Sequence, residues 1–213
     1  MVKASTGTLR DAVADRLRED IITGALRPGE LIRDQEIAQR YSASTSPVRE
    51  AIVQLAAERL IEAPTNRVKR VAPLDRKTSQ DLFDVILLLS LRGYELGVPL
   101  LSDAAIETLR ANVEAQGAAL AAGEQRRVVK LLWAFHDPVY IAAGNAQLHR
   151  IISDSYPWMQ RLATLLPMGL PRKVDRALAL LEPIERRDAA GATAVMRDWS
   201  KEFQTLIDRL PDV

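Results

Sequence analysis

Cysteine is missing altogether from this chain. That excludes disulfide staples, thiolate nucleophiles and cysteine-held zinc or iron–sulfur centres, and it suits a cytoplasmic protein. An excess of one charge is also missing. The 29 basic side chains face 28 acidic ones, so no global field draws the chain to nucleic acid and any such contact must come from a local patch. Long apolar runs are lacking too. The longest, near Val85 to Leu89, is far too short to span a bilayer, and Met1 to Thr8 has no apolar core of signal-peptide length, so neither export nor membrane insertion is expected. Catalytic signatures do not occur: there is no phosphate-cradling glycine loop, no nucleophile elbow and no HExxH. The adjacent His136 and Asp137 would point about 100° apart on a helix and form no hydrogen-bonded pair, so an enzyme is not expected. What the chain does have is apolar content, 47% of 213 residues, enough to bury the cores of two modest domains.

Leu9, Val13, Leu17, Ile21 and Ile22 recur at helical spacing up to Gly24, which predicts a first helix from about Thr8 to Thr23 with a left-handed glycine after it. Beyond the Arg27-Pro28-Gly29 turn, Ile32, Ile37, Ala38 and Tyr41 predict a short second helix. Ser44 then suits an N-cap, with Pro47 in the first turn, where its missing N–H is no loss. In the third helix Val48, Ala51, Ile52, Leu55 and Ala56 commit one face to a core. Leu60 to Ala63, a turn at Pro64 to Arg67, and Val68 to Ala72 predict a two-stranded hairpin. Pro73-Leu74-Asp75 forms a linker between a domain at about 1–74 and one at about 76–213. The second domain should be an antiparallel bundle of about six helices, near 79–97, 103–122, 124–143, 145–166, 172–186 and 188–210. Pro138 and Pro183 fall inside two of these and should each mark a kink or a break.

Short helices, a tight turn, an amphipathic third helix and a basic hairpin make a winged helix-turn-helix, whose third helix fits the major groove. Opposite its buried stripe lie Thr45, Ser46 and Arg49, with Ser44 just before them as a further DNA-binding candidate, groups able to reach phosphates and base edges. The hairpin adds Asn66, Arg67, Lys69 and Arg70, the local patch that the net charge conceals. The run Pro28-Gly29-Glu30-Leu31-Ile32-Arg33, then Glu36-Ile37-Ala38, then Ser44-Thr45-Ser46-Pro47-Val48-Arg49-Glu50-Ala51-Ile52, with Leu55 and Leu60-Ile61 following, resembles the GntR family of bacterial regulators. The helical remainder, including Phe135-His136 and Ala143-Gly144-Asn145, is similar to the FCD-type effector domain of its FadR subfamily.

The resemblance implies a dimeric transcriptional regulator on double-stranded operator DNA, a repressor relieved by a small organic acid or related metabolite. It places Arg33, Thr45, Ser46 and Arg49 at DNA-contacting positions, and Asn66, Arg67 and Lys69 on a wing in the minor groove. Two departures bear on specificity. Thr45 stands where the family usually has an arginine able to bind guanine bidentately. Val68 follows Arg67 where the family has glycine, which disfavours positive φ at the wing tip. Many members also hold a divalent metal with one aspartate and three histidines. Here His136 matches one ligand, whereas Leu132, Ala177 and Trp199 stand at the others, and a lone imidazole holds no transition metal. A frequent arginine of the first effector helix appears as Leu89, with Arg92 about a turn away. A metal-free, more apolar pocket is expected, lined by Leu89, Arg92, Leu132, His136, Ala177, Met196 and Trp199, with no other cofactor.

Blander roles fit some of these residues. Arg49 and Arg67 suit solvated surface charges. His136 suits a satisfied core histidine as well as a ligand-facing one, and Trp199 shares an apolar stripe with Val195, Met196, Phe203, Leu206 and Ile207. Two competing functions also stay open. One is a helical protein-binding or scaffolding module, and the other a constitutive repressor without an effector.

Overall fold

The computed structural model describes residues 8–64, 68–166 and 169–212, and these divide into two compact units. The first comprises residues through Leu74 together with Pro157–Leu165, and the second comprises Asp75–Tyr156 and Leu166–Asp212.

In the first unit α1 (Leu9–Ile22) starts at a full capping box. The Thr8 side chain accepts from the Asp11 N–H while the Asp11 carboxylate accepts from the Thr8 N–H, which satisfies donors that the first turn leaves unpaired. Gly24 follows its end at φ +79°, the left-handed conformation expected of it. α2 (Asp34–Tyr41) ends at Ser42, also left-handed, and α3 (Thr45–Ala57) begins after Ser44. Ser44 occupies the N-cap position with extended backbone, but its side chain makes no capping hydrogen bond. The apolar stripe of α3 does what its spacing predicts: Val48, Ala51, Ile52 and Leu55 are buried against Val13, Leu17 and Ile21 of α1 in one core. At the far end of α3, Arg18 grips Glu58 with Nε and Nη2 at 2.7 Å each, a fork that fixes the angle between α1 and α3.

The hairpin consists of β1 (Ile61–Glu62) and β2 (Arg70–Val71), antiparallel with Ile61 opposite Val71. β2 has a second neighbour. The segment before α2 runs along its other edge, with the Gly29 N–H donating to the Val71 carbonyl, the Val71 N–H to the Glu30 carbonyl, and the Ile32 N–H to the Lys69 carbonyl. The hairpin is therefore anchored to the chain that leads into α2.

The second unit holds a 22-residue α4 (Arg76–Gly97), a 3₁₀ turn (Val98–Leu100), α5 (Asp103–Ala121), α6 (Gln125–Ala134), α7 (Asp137–Ala142), α9 (Leu170–Glu185) and α10 (Ala189–Ile207). α8 (Ala146–Leu165) starts in this unit, and its residues from Pro157 onward belong to the first. The helix expected over 124–143 is two helices. Pro138 sits in the first turn of α7, so the chain breaks at Phe135-His136. Pro183 lies inside a continuous α9, as does Pro157 inside α8.

One close approach shapes the bundle. A Cβ on Gly97 would lie 2.0 Å from the Val139 carbonyl oxygen, and one on Gly93 would lie 2.6 Å from the Tyr140 ring. The absence of side chains on this edge of α4 lets α7 lie directly against it and brings His136 and Tyr140 beside Tyr94.

Candidate nucleic-acid interface and effector site

The first turn of α3 presents Ser44, Thr45 and Ser46, and Arg49 follows on the same side one turn later. The Arg49 side chain is 68% exposed. Its Nε donates to the Asp34 carboxylate at 2.8 Å, and both Nη groups are left without a partner among the described contacts. The other oxygen of Asp34 accepts from Lys69 Nζ at 2.6 Å. Asp34 is the first residue of α2, where the helix dipole favours a negative charge. The Ile32–Lys69 backbone hydrogen bond two residues earlier brings Lys69 to it. Burial pushes the Asp34 carboxyl up, but the hydrogen bonds from Lys69 and Arg49 outweigh that and hold it below the usual range, so it stays ionised.

Arg33 occupies the N-cap position of α2 without a capping hydrogen bond, and its exposed side chain pairs with Glu36 at 2.7 Å. Arg70 is paired across the hairpin with Glu62, also at 2.7 Å, so it serves the strand pair. Asn66 and Arg67, expected on the wing tip, lie outside the described residues. Two features of this surface were not legible in the sequence. One is Asp34, whose partners are 15 and 35 residues away. The other is Val53, 70% exposed one turn beyond Arg49, an apolar group of the kind that can meet a thymine methyl.

In the bundle unit, Ala177 and Met196 are buried in the main core, and Leu89 and Leu132 pack partly buried against it. His136 lies beside this core, its Nδ1 2.6 Å from the Tyr94 hydroxyl. Burial pushes the His136 pKa down to about 4 despite the opposing charge of Asp137, so the ring is neutral at physiological pH. Burial also raises the Tyr94 pKa, so a neutral phenol and a neutral imidazole share this hydrogen bond, and its direction follows the ring's tautomer. Tyr140 stacks on His136 with centroids 6.1 Å apart. Tyr156 donates to Asp137 at 2.9 Å, and His149 Nε2 lies 3.5 Å from the same Asp137 oxygen. The sequence pattern picks out His136 but none of these partners, because three tyrosines on three helices look like ordinary core aromatics until the helices are packed.

Trp199 and Arg92 stand apart from that group. Trp199 packs on Phe203 with centroids 5.9 Å apart, with the Arg176 guanidinium 5.6 Å from its ring and its own indole N–H buried without a partner. Arg92 is exposed and pairs with Glu95 at 3.0 Å. A groove of about 390 Å³ along α9, lined by Asp175, Leu178, Ala179, Leu181, Glu182 and Glu185, includes none of the residues expected at the effector site. Among the described residues no three His, Cys, Asp or Glu side chains converge as a metal ligand set.

Two family models match separate stretches of the chain. The model of the bacterial regulatory proteins of the gntR family matches residues 9–70, and the FCD domain model matches residues 81–199, more than half of the chain. This chain belongs to the GntR family of bacterial transcriptional regulators and carries an FCD effector domain. It is 27% identical to the HTH-type transcriptional repressor GlaR of Escherichia coli over 198 residues, covering 85% of this chain and 87% of that protein. It is 28% identical to the gluconate operon transcriptional repressor of Bacillus subtilis, covering 99% of this chain and 87% of the other. Among solved structures, E. coli McbR/YncC superposes with a TM-score of 0.78 at 18% identity over 96% of this chain and 99% of that one. A putative GntR regulator from Rhodococcus sp. RHA1 gives 0.77 at 16% identity, over 93% of this chain and 96% of the other. At those identities the likeness concerns the fold. No helix among the described residues is long and apolar enough to cross a membrane.

Proposed function

We propose that this regulator is a cytoplasmic homodimeric repressor that reads its operator with the first turns of α3 and releases it when a small organic acid or related metabolite enters the bundle. The observation that carries the DNA-reading surface is Arg49: exposed on α3, it is held among the described residues by its Nε, which leaves its two Nη groups for a ligand. In this reading Thr45, Ser46 and Arg49 meet bases and phosphates, Arg33 and Ser44 meet the backbone, and Lys69 with Asn66 and Arg67 serves the wing. Thr45 in place of the usual arginine shifts the preferred bases away from a bidentate guanine contact. Val85 and Leu88, 50% and 69% exposed on α4, offer an apolar face for the second copy. Two heads would then address half-sites roughly 34 Å apart.

The effector reading rests on the neutral cluster of His136, Tyr94, Tyr140 and Tyr156, whose hydroxyl and imidazole groups suit a hydroxylated acid. One relative is named for the gluconate operon. The effector shifts the DNA-competent population only by its differential affinity for the two states. We also propose that this domain works without a metal, since Leu132, Ala177 and Trp199 leave His136 alone at the family position. Elemental analysis of purified protein should find no stoichiometric zinc, nickel or manganese. One tightly held equivalent would overturn that part.

For the DNA surface, an operator selected by wild-type protein from a randomised duplex pool provides the probe. Arg49→Ala should weaken binding to it by about tenfold or more with an unchanged circular-dichroism spectrum, in line with roughly 1–3 kcal/mol for a base-contacting arginine. Unchanged affinity would contradict the assignment. Binding to random duplex should fall steeply with salt through counterion release, whereas a protein-binding scaffold would give a flat profile.

A further inference from the structure

A single carboxylate holds two of the cations assigned above to DNA. Asp34 is only 17% exposed, accepts from Arg49 Nε on one oxygen and from Lys69 Nζ on the other, and thereby joins the start of α2, the exposed face of α3 and the base of the hairpin. The geometry is that of a buttress. An arginine held at Nε keeps the end of its planar fork free, and the hydrogen bond removes rotamers that would otherwise have to be frozen on binding. The carboxylate also places a fixed negative charge behind the contact surface. That charge is tolerated when an acceptor on the operator holds each cation to a particular pose, and it opposes loose association of the same face with any phosphate backbone.

We propose that Asp34 is a specificity-determining residue of this regulator, orienting Arg49 and Lys69 for its operator while suppressing their use as general phosphate binders. Resting on the DNA-reading assignment above, it is separable from it, because that assignment concerns whether wild-type protein selects a sequence at all. Asp34 touches no DNA in this account. It acts through the two cations, so its signature is a ratio of affinities.

The test uses full-length protein with two duplexes of equal length, the operator selected by wild-type protein and a random sequence. Asp34→Asn keeps the size of the side chain and removes its charge. It should bind random duplex several-fold more tightly, bind the operator no better or more weakly, and so lower the operator-to-random ratio about tenfold. Asp34→Glu, which restores the carboxylate, should recover most of that ratio. The salt slope on random duplex should steepen by about one in Asp34→Asn, as one more cation becomes available to phosphate. A parallel rise of both affinities would reduce Asp34 to one negative charge among many, and a parallel fall would make it a scaffold residue. Either result overturns the proposal. Failure of wild-type protein to select any sequence would instead remove the DNA-reading assignment.

Discussion

Between pH 6.5 and pH 4 the wild-type protein should lose roughly 3 kcal/mol of stability through His136 alone. In the folded chain burial holds this imidazole at a pKa of about 4, while in the unfolded chain it titrates near the ordinary value of 6.5. Between those values the unfolded state binds a proton that the folded state refuses, so stability rises with pH across the window and falls as the solution is acidified. The loss begins near pH 6.5 and is complete below pH 4. Carboxylates titrate in the lower part of the same range, which makes the raw wild-type curve ambiguous. The measurement is therefore a difference: urea unfolding of wild type and of His136→Gln at half-unit intervals from pH 7.5 to pH 4. Glutamine keeps an acceptor for the Tyr94 hydroxyl and has no proton to gain. The stability advantage of wild type over the variant should shrink by roughly 3 kcal/mol toward pH 4. Parallel curves would mean that the ring is as wet as it is in the unfolded chain, and the neutral imidazole assigned to the effector cluster would have to be given up.

The sequence exposed those parts of the molecule whose determinants are local. α1 was bounded within a residue at each end because Thr8, Asp11 and Gly24 are all the apparatus a helix needs to start and stop. α3 followed from one apolar stripe, and the break at His136 from Pro138. Regions built by distant partners stayed hidden. The pairing of residues 29–32 with β2 has no alternating pattern to announce it, because Gly29 and Glu30 contribute backbone rather than a buried face. Asp34 looks like an ordinary acidic residue of a first helical turn until Arg49 and Lys69 are folded onto it. Among the effector residues, Leu89, Leu132, Ala177 and Met196 gather at one core, while Trp199 turns toward Phe203 and Arg176. Helical register alone does not fix that choice, since a tryptophan on a helix edge reaches either of two neighbours.

Substituting Arg161 with methionine should stabilise the protein by about 1 kcal/mol. Arg161 lies on the part of α8 that belongs to the first unit, is fully buried, and follows the buried Trp158 and Met159. Its Nη2 donates to the Ala72 carbonyl at 2.6 Å, just after β2, whereas Nε and Nη1 are buried with no partner among the described residues. Burial lowers its pKa to about 10, a displacement worth roughly 3 kcal/mol against the charged form. Methionine fills much of the same space with no charge to desolvate and forfeits one charge-assisted hydrogen bond worth about 2 kcal/mol. The difference leaves a net gain. Alanine is the wrong test, because the cavity it opens would mask the electrostatic relief. Thermal and urea unfolding of Arg161→Met against wild type at pH 7 decide the matter, and a loss of more than about 1 kcal/mol would show that the guanidinium has compensation beyond Ala72. If the gain is found, Arg161 serves something other than stability. Its one hydrogen bond says where to look. It fixes the residue after β2, the strand that positions Lys69 beside Asp34, so the stabilised variant should also show a looser hairpin, seen as faster amide exchange at Val71 and Ala72.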